Sequence, residues 1–134
     1  MNHKEYFQSK GFNLSIADFK TSCNHAKTWR EVFVPNIQNQ NLFTYLSNNW
    51  KEGNNALSDF MKLEENEFIV LNSFDNKPMS LMISKGKLED FSDFKDDLFI
   101  FNNKFTWSIV FSHEQFGFGG GPYFTKKEEA EQKK

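Results

Sequence analysis

Phe105-Thr-Trp-Ser-Ile-Val-Phe-Ser-His113 is the stretch on which the reading of this chain turns. Phe105, Trp107, Ile109 and Phe111 alternate with Thr106, Ser108, Val110 and Ser112, the period of two that a β-strand imposes on its side chains. The pattern predicts a strand with one face on the core and the other small and polar. Just upstream, Asp97-Leu-Phe-Ile-Phe-Asn102 reads as a second strand, with Asn102-Asn103 as a hairpin-like link. Glu67-Phe-Ile-Val-Leu-Asn72 is a third compact run of strand formers. Asp75-Asn-Lys-Pro78 reads as a turn. Residues 79–84 are short and apolar and fit a strand or a helical turn. Leu88, Phe91, Phe94 and Leu98 recur with Glu89, Asp90, Asp93 and Asp97 between them, as in an amphipathic helix or turn with a solvated acidic face.

Toward the N-terminus the period lengthens. Ser15-Ile-Ala-Asp18 resembles a helix start, and Ile16, Phe19, Cys23 and Ala26 would then share one face. Thr28-Trp-Arg-Glu31 is a second capping box, so residues 15–34 read as one bent helix or two, ended by Pro35. A third helix is expected over 37–50, with Leu42, Leu46 and Trp50 on its stripe and Gly53 near its end. Asn54 or Asn55 would cap a short fourth helix that buries Ala56, Leu57, Phe60 and Met61. Residues 1–12 read as a loose arm or short docking segment with Tyr6, Phe7 and Phe12 as anchors. Four glycines (Gly117, Gly119, Gly120 and Gly121) break the strand pattern after residue 113; Pro122 then fixes a turn, and Tyr123 and Phe124 return to the core or a sheet edge. The expected fold is α+β: a helical N-terminal half packed on a small, mostly antiparallel sheet formed by the C-terminal half. Residues 13–125 form the single globular core and 126–134 a charged tail.

Composition narrows the function classes. The 134 residues carry a net charge of −2, with a pI near 5.9, which argues against a basic nucleic-acid binder. The 17 Phe residues are assigned mainly to the core, since a stacking platform for bases comes with a basic groove. No apolar run approaches the roughly 18 residues of a membrane helix, and MNHKEYFQSK lacks a signal-peptide core. A cytoplasmic location is therefore expected, with no membrane or nucleic-acid partner. The one cysteine, Cys23, forbids an internal disulfide. Cys23 and His25 are two residues apart and splay on a helix, so no metal site is expected, and no cofactor either.

The C-terminal stretch holds the candidate chemistry. His113 continues the core-facing register where the strand runs out, and a bend after Ser112 would bring Glu114 to the same rim, beside the glycines. An imidazole there could act as a base near neutral pH; the plainer role is to hydrogen-bond a loop carbonyl and pin the turn. The glycines are not a phosphate loop, because Pro122 and two aromatics stand where that motif needs a Lys, a Ser or Thr, and a helix start.

Phe105-Thr-Trp107-Ser, Ser112-His113-Glu114 and Gly121-Pro122-Tyr123-Phe124 resemble a family of small bacterial domains of unknown function. Its members end in Trp-Thr, Thr-His-Glu and Gly-Pro-Tyr-Phe. Trp50, Gly53, Ala56 and Phe60 are similar to that family's mid-chain spacing, so the resemblance spans roughly residues 28–124. It implies an α+β domain in a bacterial cytosol with His113, Glu114, Pro122 and Tyr123 as the site. The preferred functional expectation is a non-catalytic protein-binding module, immunity-type or regulatory. It would use Trp107, His113, Glu114, Phe116, Phe118, Gly121, Pro122 and Tyr123, with Phe116 and Phe118 exposed. The alternative is a small hydrolase or transferase with His113 as base and Glu114 as its partner, beside the glycine-rich loop. A third reading uses the acidic surface at Asp93, Asp96 and Asp97 to meet a basic protein.

Overall fold

The computed structural model describes residues 2–37, 41–73, 77–94, 96–112 and 121–127. Its frame is one seven-stranded sheet, every pairing antiparallel, built from β1 (Asn13–Ile16), β2 (Lys51–Glu52), β3 (Phe68–Leu71), β4 (Ser80–Lys85), β5 (Leu98–Phe101), β6 (Trp107–Phe111) and β7 (Tyr123–Lys126). The strand order is β1-β4-β3-β5-β6-β7-β2. Four helices cover it: α1 (His3–Ser9), α2 (Phe19–Phe33), α3 (Leu42–Asn49) and α4 (Asn54–Met61). The α+β class expected from the sequence is the one observed, with one amendment. The N-terminal half also supplies the two outer strands, β1 and β2.

Each central strand buries both of its faces. Phe68, Val70, Leu81, Ile83, Leu98, Ile100, Trp107, Ile109 and Phe111 join a core under α1 and α4. Ile69, Leu71, Phe99, Phe101, Val110 and Tyr123 join a second core under α2 and α3. The polar face expected for β6 is therefore not solvated. Ser108 is fully buried, accepting the Trp29 indole N–H at 2.9 Å and donating to the Ile100 carbonyl at 2.9 Å. Small hydroxyls leave room for α2 to approach the sheet while meeting its polar atoms. The β5–β6 link falls where it was expected. Asn102 closes it, its amide donating to Thr106 Oγ1 at 2.7 Å and its oxygen accepting from the Thr106 backbone at 2.9 Å.

Several local expectations are corrected. Of the two readings of the N-terminal segment, residues 2–12 follow the docking segment and not the loose arm: Asn2 and Glu5 form a capping box on α1, Tyr6 and Phe7 are buried, and Phe12 packs against the same core. Residues 15 and 16, expected to open the helix, belong to strand β1, because the Asp18 side chain is itself the cap of α2, accepting from Thr21 N–H at 2.7 Å. One unbroken helix follows, and its buried face is Ser22, Ala26, Trp29 and Phe33. Cys23 is only half-buried, and Phe19 is 67% exposed. The helix stops at Phe33, as Pro35 requires. The third helix begins at Leu42 under an Asn41 cap, not at residue 37. Gly53, at φ +73°, precedes α4 as its cap in place of either asparagine, and Met61 of α4 is exposed. Residues 79–84 resolve as strand β4, which begins at Ser80. Of the helix or turn expected around residues 88–98, the turn is what forms, at residues 92 and 93, and Leu88, Phe91 and Phe94 plug the first core. Lys126 lies in β7, and Lys127 N–H donates to the Thr106 carbonyl, so these two residues, expected to open the tail, belong to the sheet's margin; residues 128–134 lie outside the described residues. Half of the turn expected at residues 75–78, namely Asp75 and Asn76, lies outside the described residues.

Candidate functional site

Of the residues singled out at the end of β6, His113, Glu114, Phe116 and Phe118 lie outside the described residues. Trp107, Gly121, Pro122 and Tyr123 are described, and all four are buried. The Trp107 ring meets Phe60 at 5.9 Å between centroids, and its N–H donates to Glu65 Oε2 at 2.7 Å. Tyr123 points to the opposite face, 6.2 Å from Phe43. Gly121 sits at φ +83°, and a Cβ there would lie 3.1 Å from the Tyr123 ring, so the position calls for glycine twice over. The Pro122 carbonyl accepts the Gly53 N–H at 2.9 Å. Together these four side chains and backbones tie β6, β7 and the start of α4.

His25, Tyr6 and part of the acidic stretch are engaged internally. His25 Nδ1 lies 2.8 Å from Ser80 Oγ, and Ser80 N–H donates to Ser22 Oγ at 3.0 Å. Burial lowers the His25 pKa and favours the neutral imidazole. Ser80 is fully buried, so this contact anchors α2 on β4 and gives no substrate access to the hydroxyl. Residues 89–97 have an internal role too: Asp93 accepts the Tyr6 hydroxyl, Glu89 pairs with Lys10 at 3.0 Å, and the Asp97 carbonyl lies 3.0 Å from His3 Nε2. Burial, reinforced by the bond to Asp93, pushes the Tyr6 hydroxyl far above its ordinary pKa and keeps it a donor. Much of the acidic stretch is thus a socket for α1. Among the described residues, no group of three or more His, Cys, Asp or Glu side chains is placed to hold a metal ion, and no helix is long and apolar enough to cross a membrane.

Two surfaces stand out that sequence patterning missed. The first is the outer edge of the sheet at β1, where Ile16 is 48% and Phe19 67% exposed. Both had been counted toward the buried side of a helix. The second is a cleft of about 500 Å³ between α4, β2 and β7, lined by Trp50, Lys51, Asp59, Lys62, Phe124 and Lys126, among others. Pairing of Lys51 with Phe124 across β2 and β7 brings these distant residues together. Lys51 donates to Asp59, and that bond, aided by the fields of Lys51, Lys62 and Lys126, holds the Asp59 carboxyl below its usual range. A wider cleft of about 1040 Å³ adjoins it, sharing Lys62 and Leu63 and reaching Gly11, Phe12, Lys85 and Lys87.

Compared with known protein families, with curated proteins and with solved structures, the chain matches none. The family resemblance rests on the motifs quoted above alone: Trp50, Gly53, Ala56 and Phe60, Phe105-Thr-Trp107-Ser, Ser112-His113-Glu114 and Gly121-Pro122-Tyr123-Phe124.

Proposed function

We propose that this chain is a protein-binding module, which takes an extended segment of a partner onto the outer edge of β1. The observation that carries the reading is the exposed pair Ile16 and Phe19 beside an outer strand. An open edge offers main-chain donors and acceptors to another strand, and apolar side chains beside it add affinity. Ala17 N–H is spent on the Ser80 carbonyl at 3.0 Å, so the alternation of an antiparallel ladder turns the N–H groups of Leu14 and Ile16 outward. β1 is short, but after an irregularity between Asn13 and Leu14 it pairs in register with β4 over Leu14, Ser15 and Ile16. An immunity-type or regulatory role is the biological form of this reading. The hydrolase or transferase alternative rests on His113 and Glu114, outside the described residues.

The test begins with a photo-crosslinking side chain at position 19, and a control at Lys27, in the native host. The captured partner is then purified and titrated against wild type and an Ile16→Asp/Phe19→Asp variant. The expected result is an affinity loss of about tenfold or more, with new hydrogen-exchange protection at Leu14 and Ile16 in the complex. Equal affinity for both proteins, or a crosslink only to a second copy of the chain, overturns the reading.

A further inference from the structure

We infer that the cleft between α4, β2 and β7 is a binding site for a small phosphate monoester. Its volume, about 500 Å³, falls within the range of small-molecule pockets. Its charge is uneven: three ammonium groups, from Lys51, Lys62 and Lys126, stand against the single Asp59 carboxylate among the lining residues. Lys51 is held by Asp59. Lys62 and Lys126 appear in no ion pair among the described residues, although both are close enough to act on Asp59 through space. Once Lys51 and Asp59 cancel, two positive charges remain among the lining residues. In a chain whose net charge is −2, that local surplus runs against the average.

The surplus selects the ligand. A phosphate monoester carries between one and two negative charges near neutral pH and three acceptor oxygens, and lysine serves phosphate as a compact point charge. A monocarboxylate would leave one of the ammonium groups uncompensated. The rest of the lining fits an organic body: Trp50, Leu63 and Phe124 provide the apolar part, and Asn49 and Thr125 provide neutral hydrogen-bonding groups. The lysines come from β2, the end of α4 and β7. Two of these are sheet elements paired through Lys51–Phe124 and Glu52–Tyr123, so the charges are carried by framework rather than by a long loop.

The experiment is calorimetric titration of the whole chain with adenosine monophosphate, adenosine, inorganic phosphate and a single-stranded oligonucleotide. Wild type is compared with Lys62→Met/Lys126→Met and with Lys20→Met, whose lysine lies on α2 outside the cleft. Methionine keeps the apolar stem, and the thermal midpoint of each variant verifies that it is folded. The expected result is saturable binding of adenosine monophosphate, displaced by inorganic phosphate and weaker at higher ionic strength. The double variant should lose about tenfold or more in affinity, Lys20→Met should not change it, and adenosine should not bind. Three results would overturn the inference: no saturable binding up to about 10 mM, a range that covers even weak ligands; equal affinity in the double variant; or an oligonucleotide that binds far more tightly than the mononucleotide, which would assign the lysines to a nucleic-acid backbone.

Discussion

On one side of the sheet Phe7, Phe60, Phe68, Phe91 and Phe111 meet ring against ring, and the polar contacts of that side, Trp107 to Glu65 and Tyr6 to Asp93, lie only part-buried at its margin. On the other side hydrogen bonds run through the interior. Trp29 donates to Ser108, Ser108 to the Ile100 carbonyl, and Ser22 and Ser80 join His25 beneath α2. The first side is held by dispersion and apolar burial, which tolerate small slides of one element on another. The second is directional: α2 can sit on the sheet in one register only if its donors and acceptors are to be met. One sheet thus carries a core specified by shape and a core specified by pairing.

The largest test of this contrast is Phe91→Ala. Phe91 is fully buried and lies 5.1 to 6.5 Å, centroid to centroid, from Phe7, Phe111, Phe12, Tyr6, Phe60 and Phe68. Its removal should cost about 3–5 kcal/mol in urea unfolding, a large share of the roughly 5–15 kcal/mol of a typical domain. A loss below about 1 kcal/mol would mean that this core is not organised around Phe91. Next comes Ser108→Ala, which deletes two buried hydrogen bonds at almost no change in volume. It should cost about 1–3 kcal/mol, and in a cycle with Trp29→Phe the two effects should fall short of additivity. Full additivity would show that the two side chains do not act together.

The smallest effect is that of pH. Burial depresses the folded-state pKa of His25 below its ordinary value, so the unfolded chain binds the proton more readily. Stability from this group is therefore complete above about pH 6.5 and declines as the pH falls toward the folded-state pKa. The thermal midpoint should drop between pH 7 and pH 5.5, and His25→Gln, which keeps a hydrogen-bonding group toward Ser80, should flatten that slope. An unchanged slope would assign the decline to other groups.

The strands were legible because Trp107 to Phe111, Leu98 to Phe101 and Phe68 to Leu71 are apolar but for Ser108; Phe105, which the alternation put on the face of Trp107, instead precedes β6 at φ +56° and stacks on Phe101 in the opposite core. What patterning could not convey was where a small polar side chain points. Ser108 looks the same in sequence whether it faces water or the indole of Trp29. The spacing of Leu88, Phe91 and Phe94 imitates a helix, although these residues descend from an irregular segment whose Asp93 is taken by Tyr6 of α1 and whose Asp90 is met locally by Ser92. Ser15 and Asp18 imitate a capping box, but only Asp18 caps. The lysine cleft was invisible for another reason. Lys51, Lys62 and Lys126 carry no motif, and only strand pairing makes them neighbours. His113, Glu114, Phe116 and Phe118, on which the first expectation of a site rested, lie outside the described residues.

The strand order bears on how the chain reaches this state. β2 gains its sheet partner only when Phe124 and Tyr123 arrive beside Lys51 and Glu52, and β1 waits for β4 in the same way, Ile16 for Leu81. Both margins of the sheet are thus closed by encounters between segments far apart along the chain, each bearing its loop-closure entropy before any apolar burial offsets it. The β3–β4 and β5–β6 pairs, each between strands adjacent along the chain, can form beforehand, so the nucleus of folding is expected there. The lysine cleft and the outer edge of β1 are then the last parts of the molecule to take shape.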